Sequence, residues 1–212
     1  MTPRGKTKNC LYYGDNLDVL HRHVDDESVD LVYLDPPFNS NTAYNVLFKE
    51  HGVEAASQIQ AFDDTWKWDE SAAEAYQKTV ESGGRLSEAL QAFRKLVGTS
   101  DMLAYLSMMA PRLAELKRVL KPNGVLYLHC DQTASHYLKL LLDAVFSPRN
   151  FQSEIIWSYR RWPAKTLNYQ HMHDTILYYA KSGRPNFNTQ YEPASESFLR
   201  SEERRVGKEC RL

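Results

Sequence analysis

"SVDLVYLDPPF", residues 28–38, begins as an apolar run and ends on an acid, two prolines and an aromatic ring. Val29, Leu31, Val32, Tyr33 and Leu34 leave little polar alternation, which predicts a strand buried on both faces, as in a parallel sheet. Similar units lie on either side. "NCLYYGD" (9–15) reads as a strand, and the "NLDVLHRH" behind it spaces Leu17 and Leu20 helically after a capping Asp15 or Asn16. Downstream, "VLYLHCD" (125–131) reads as a strand leaving a Lys121-Pro-Asn-Gly turn. The helix "SHYLKLLLDAVF" and the strands "FQSEIIWSY" (151–159) and "DTILYYAK" (174–181) follow. Strands alternating with helices predict an α/β sheet, whose ligands bind beyond the carboxyl ends of the strands. Asp15, Asp35 and Asp131 stand at such ends, although an acid there also serves as a helix cap.

Between the two halves, residues 50–100 read as a mostly helical, acidic insertion. Ser71 with Glu74 suggests a capping box, and Gly98 suggests a helix end. Leu106, Met109, Leu113, Leu116 and Leu120 make one apolar stripe, with Pro111 placed to kink that helix or to start a second.

The chain has 212 residues, 42% hydrophobic and 25% charged, which suits one domain with a sizeable core. No apolar run reaches the length of a membrane span and the N-terminus has no apolar signal core, so a cytoplasmic location is expected, with no membrane partner. Cys10, Cys130 and Cys210 fit neither a disulfide framework nor a metal knuckle and read as reduced thiols. His171 and His173 share a strand face, but no acid or cysteine at ligand spacing completes a set, so no metal is expected. A formal charge of −1 means that any nucleic acid must meet a local basic patch.

The chemistry concentrates at Asp35-Pro36-Pro37-Phe38. The prolines narrow the backbone, and Pro37 has no N–H, so the Asp35 carboxylate and the Pro36 carbonyl become two acceptors at a fixed spacing. An NH₂ group fits between two acceptors. A nucleobase amine also offers a ring face for Phe38 to cover, and such stacking is worth about 1–3 kcal/mol.

With the Gly14-Asp15-Asn16-Leu17 turn, the Asp-Pro-Pro-Phe box and the block "AYLSMMAPRLAELKRVLKPNGVLYLHCDQTASHYLKLLLDAVF" (104–146), the chain resembles the amino-methyltransferases that modify DNA bases with S-adenosylmethionine. Within them it is most similar to the N-terminal, catalytic half of the beta-class adenine enzymes, over nearly all of residues 9–199. The resemblance implies a partial Rossmann-like methyltransferase sheet with a helical insertion. Of the family's strand order 3-2-1-4-5-7-6, strands one and two, which belong to the cofactor-loop half, are expected to be missing, leaving the strand before Asp35 with an open edge. It implies S-adenosylmethionine as cofactor, double-stranded DNA as substrate and a cognate restriction subunit as partner. Asp35, Pro36, Pro37 and Phe38 become the catalytic set, and Asp15 and Asp35 candidates for cofactor binding. Asp at the head of the box favours adenine N6. Cytosine N4, an amine in RNA or protein, and a non-catalytic DNA-binding fragment are the alternatives.

The segment "YRRWPAKTLNYQHMHD" (159–174) interleaves Arg160, Arg161 and Lys165 with Tyr159, Trp162 and Tyr169, a pattern suited to phosphate contact and support of a displaced base. Trp66 and Trp68 read as packing residues. No Phe-x-Gly-x-Gly cofactor loop is found, since "ESGGRL" (81–86) sits between helices rather than after a strand. The final stretch, residues 200–212, resembles an in-frame translation of a sequencing adapter. Five of the 26 Lys and Arg and three of the 27 Asp and Glu lie there, leaving 21 basic residues against 24 acidic ones. On this reading the chain ends inside the catalytic domain and is expected to bind cofactor weakly and to be inactive alone.

Overall fold

The computed structural model describes residues 9–37, 42–46, 49–50, 53–54, 59–64, 66–162, 167, 169–189 and 191. Phe38, Lys165 and the 200–212 stretch lie outside them. Along the chain run α1 (Asn16–His23), β1 (Val29–Leu34), β2 (Thr42–Val46), β3 (Lys49–Glu50), β4 (Val53–Glu54), β5 (Ile59–Asp64), α2 (Glu70–Glu81) and α3 (Gly84–Val97). Then come α4 (Asp101–Val119), β6 (Leu120–Cys130), α5 (Ser135–Phe146), β7 (Phe151–Ser158) and β8 (His173–Ala180).

The main sheet has the order β1-β6-β8-β7, with β1 parallel to β6 and both other pairings antiparallel. This is the 4-5-7-6 portion of the expected order, and the fold is α/β. Strand β6 is paired on both sides, and Leu126, Leu128 and Cys130 are fully buried on it. The Lys121-Pro-Asn-Gly turn lies within β6 as an irregularity, since Val29 pairs with Leu120 and Leu31 next pairs with Val125. Gly124 makes that bend possible. A Cβ there would meet Leu120 Cδ2 and the Lys121 carbonyl at 3.0 Å.

Helix α4 is the centre of the helical packing and touches α1, α2, α3 and α5. Its expected stripe is buried, although Leu120 belongs to β6. Pro111 neither breaks the helix nor starts another; α4 runs on to Val119. Arg118 fixes the far end, donating to the Leu20 and Val24 carbonyls at the close of α1 and pairing with Asp26 and Glu115.

Four further expectations change. Residues 9–13 form no ladder, and Leu11 and Tyr13 are 99% and 98% exposed. An apolar stretch becomes a strand only where a neighbour accepts its hydrogen bonds, and no described strand lies beside it. Strand β1 is partly buried on one face and open on the other, where Leu31 and Tyr33 are half-exposed, because it is an edge strand that has β6 as its single described neighbour. Among its described residues, the insertion is helical only over α2 and α3. Before them β2, which precedes the insertion, pairs with β5, and β3 with β4, both antiparallel. Finally, α2 is capped by Asp69 rather than Ser71. Asp69 accepts from the Ala72 N–H and the Ser71 hydroxyl, which hold its carboxyl below the usual range, while Glu74 pairs forward with Lys78. Between α2 and α3, Gly83 and Gly84 have φ of 71° and 75°, a left-handed turn that closes a helical hairpin.

Candidate active site

Three elements bring acids to one opening. The side-chain oxygen of Asp15 accepts from Leu17 N at 2.8 Å and caps α1. Asp35 leaves the end of β1, with Pro36 buried and Pro37 partly buried behind it. Asp69 caps α2. All three line a cavity of about 1020 Å³, walled by Trp66, Met108, Met109 and Ala104 and crossed at one side by Arg112.

Arg112 was not singled out by the sequence reading. It donates to both Asp15 oxygens at 2.7 Å, to Asn16 Oδ1 at 2.8 Å and to the Met108 carbonyl at 2.9 Å. It therefore ties the turn before α1 to the middle of α4, beside the carbonyl set free by Pro111. A signal was present: Arg112 is the only charge in α4 between Asp101 and Glu115. Asp15 thus carries out its capping role and also meets a cation, leaving roughly one lone-pair direction for a ligand. Trp66 packs on Tyr105 as a core residue, with ring centroids 6.1 Å apart, and also faces the cavity. Trp68 packs edge-on to Tyr76.

Asp35 is 58% exposed, and its Oδ1 lies 3.1 Å from His129 Nδ1. Parallel register explains the contact, because Leu34 pairs with Leu128 and places the next residues side by side. The other ring nitrogen of His129 is 3.7 Å from Asp174 Oδ2, and Asp174 Oδ1 accepts from the Tyr159 hydroxyl at 3.2 Å. Arg161 donates to that hydroxyl at 3.1 Å and lies over the Tyr159 ring. Asp131 accepts from Thr133 N and Ala134 N in the turn that leads into α5, whose own N-cap is Ala134.

A second cavity of about 470 Å³ adjoins this chain of contacts and is lined by Tyr159, Arg161, His171, His173 and Asp174 among others. Of the segment's other residues, Arg160, Trp162 and Tyr169 are exposed like Arg161, Trp162 at 92%. Among the described residues, no group of three or more His, Cys, Asp or Glu is arranged to hold a metal ion. No described helix is long and apolar enough to cross a membrane.

Cys130, one strand position beyond His129, is not a nucleophile in this setting. Burial, reinforced by the nearby Asp131, Glu154 and Asp174 charges, pushes its thiol up to about 12. At pH 8 a thiol reagent is expected to label exposed Cys10 and to reach Cys130 only after unfolding, as read by peptide mass spectrometry. Because the unfolded thiol ionises first, this group lowers stability as pH rises from 9 toward about 12 and has no effect below that window. Labelling of Cys130 in the folded protein at pH 8 would show that β6 opens.

Residues 29–209 match the family described as DNA methylase, of the N6/N4 type. The Mod subunit of the type III restriction-modification enzyme StyLTI from Salmonella typhimurium is 27% identical over 198 residues, which cover 90% of this chain and 26% of that protein. The type II methyltransferase M.KpnI from Klebsiella pneumoniae is 21% identical, with 91% of this chain and 38% of that protein covered. This chain therefore spans well under half the length of either relative. Among solved structures, the cytosine-N4-specific PvuII DNA methyltransferase shares 12% identity at a TM-score of 0.46, over 90% of this chain and 61% of that one.

Proposed function

This chain belongs to the DNA methylase family, and on that premise we propose that it is the catalytic part of an enzyme that methylates adenine N6 in duplex DNA from S-adenosylmethionine. The observation that carries the reading is Asp35: a carboxylate at a strand end, backed by two prolines, at the mouth of a large mixed cavity. The cavity lining suits a nucleoside with a cationic tail. Met108, Met109 and Trp66 offer apolar surface, while Asp15, Asp35 and Asp69 offer acceptors. When bound, S-adenosylmethionine supplies a sulfonium methyl that is already activated.

The work left to the protein is to hold and polarise the amine. An exocyclic nitrogen shares its lone pair with the ring and is a poor nucleophile. Asp35 and the Pro36 carbonyl, each accepting one N–H, favour a pyramidal nitrogen and spread the charge that develops. Holding nitrogen, methyl and sulfur in line adds an advantage of about 7–11 kcal/mol. The base must first leave the duplex, at a cost of a few kcal/mol. Arg160 and Arg161, with Lys165 in the same segment, are the residues we assign to DNA phosphates. Trp162 and Tyr169 are the exposed aromatic rings of the same segment. Because the named Mod relative belongs to a restriction-modification enzyme, a cognate restriction subunit is the partner we assign, and the cytoplasm the location.

The test is a methyl-transfer assay on plasmid DNA, RNA and protein, using the protein as its gene encodes it and labelled S-adenosylmethionine. N6-methyladenine in hydrolysed DNA is the expected product. N4-methylcytosine would move the assignment to the other amine of the same family, and label confined to RNA or protein would overturn DNA as the substrate.

A further inference from the structure

We propose that His129 is a positioning residue that sets the direction of the Asp35 carboxylate, with the Asp174 carboxylate flanking the ring on its other side. The inference rests on reading Asp35 as the acceptor for the target amine. Asp35 is more than half exposed and follows the last residue of an edge strand, so prolines on its C-terminal side restrict its backbone but not its χ angles. A carboxylate free to rotate would offer its lone pairs in many directions. The contact that selects one of them is His129 Nδ1, at 3.1 Å from Oδ1. Since an ionised carboxylate only accepts, this bond requires the ring proton on Nδ1. It occupies Oδ1 and leaves Oδ2 for an incoming N–H.

Sheet geometry makes the arrangement stiff. His129 is on the strand paired on both sides, is only 18% exposed, and stands opposite Ile176 in the β6–β8 ladder. Two residues from Ile176 on the same face of β8, Asp174 reaches the Nε2 side at 3.7 Å and is itself held by Tyr159. The ring is therefore flanked by carboxylates carried on the strands to either side of its own. Tyr159 in turn receives Arg161, so the support of Asp35 begins in the segment assigned to DNA.

The test compares His129→Ala, His129→Asn and Asp174→Asn with Asp35→Ala in the protein as its gene encodes it, each checked for an unchanged thermal midpoint. A small misplacement of a reacting group costs on the order of 100-fold in rate. His129→Ala is therefore expected to lower kcat about 30- to 100-fold, with KM for DNA and for S-adenosylmethionine within about twofold. His129→Asn retains an N–H donor near the position of Nδ1 and should recover at least about tenfold of that loss. Asp174→Asn, which keeps the geometry but not the charge, should fall between the wild type and His129→Ala. Loss of activity in Asp35→Ala with full kcat in His129→Ala overturns the proposal and leaves the role of Asp35 intact. Equal losses in His129→Ala and His129→Asn, or a loss confined to KM, also overturn it. Full activity in Asp35→Ala overturns both readings.

Discussion

Asp35→Ala is expected to reduce methyl transfer about 1000-fold while leaving the fold intact. The size follows from what the carboxylate supplies. Removing one neutral donor from a preorganised site commonly costs 100- to 1000-fold, and here a full charge is lost beside a nitrogen that becomes cationic. The fold should survive because the side chain is 58% exposed and its one described partner is His129. Surface substitutions away from buried networks shift stability by about 0.5 kcal/mol or less. Asp35→Asn keeps a neutral acceptor in the same place and should lose about 100-fold, so the series separates charge from geometry. Steady-state rates with saturating DNA, alongside thermal unfolding of the same preparations, make the measurement. Wild-type rates in Asp35→Ala would remove the acceptor role assigned to the strand end.

The largest expected effect on stability is at Tyr179. Its ring is fully buried on β8 between Phe146 and Phe151, with centroids 5.8 and 5.3 Å away, and Lys139 lies over it. Its hydroxyl donates to Asp143 Oδ1 at 2.7 Å. Burial, with the Asp143 carboxylate second, pushes the phenol well above its ordinary value. Tyr179→Ala should therefore lower the unfolding free energy by about 3–5 kcal/mol, as for other large aromatic truncations. Tyr179→Phe keeps the ring and loses a bond to a charged acceptor, for a cost of about 1.5–3 kcal/mol. The contribution from the phenol is complete below pH 10, the ordinary value, and declines above it as the unfolded side chain ionises. Urea unfolding at pH 7 checks both variants, and a loss under 1 kcal/mol in Tyr179→Ala would mean that β8 is not packed on α5 in this way. The effect bears on function because β8 carries Asp174, which flanks His129.

Strands β1, β6, β7 and β8 and helices α1 and α5 were legible in the sequence because each has its own apolar pattern and, for α1, its own cap. The candidate site was legible to the extent that its residues are neighbours in sequence. Asp35-Pro36-Pro37 announces an acid on a constrained backbone, and Asp15 a cap, by local rules alone. Arg112 and His129 were missed because their partners are 97 and 94 residues away, and no local pattern encodes those distances. The failed strand at 9–13 and the half-exposed β1 are the same lesson in reverse. Local sequence can propose an extended stretch, but only a neighbour makes it a covered strand.

By itself, then, the amino-acid order determined the alternation of elements, the box at residues 35–38 and the chemistry that box can support, since these depend on spacing and on backbone restriction by proline. Tertiary structure decided which charges meet. The parallel register of β1 and β6 sets Asp35 against His129, the antiparallel return of β8 brings Asp174 to the same ring, and the crossing of α1 and α4 gives Asp15 its arginine. Electrostatic contacts depend on distance through space, and chain folding, not chain order, fixes that distance.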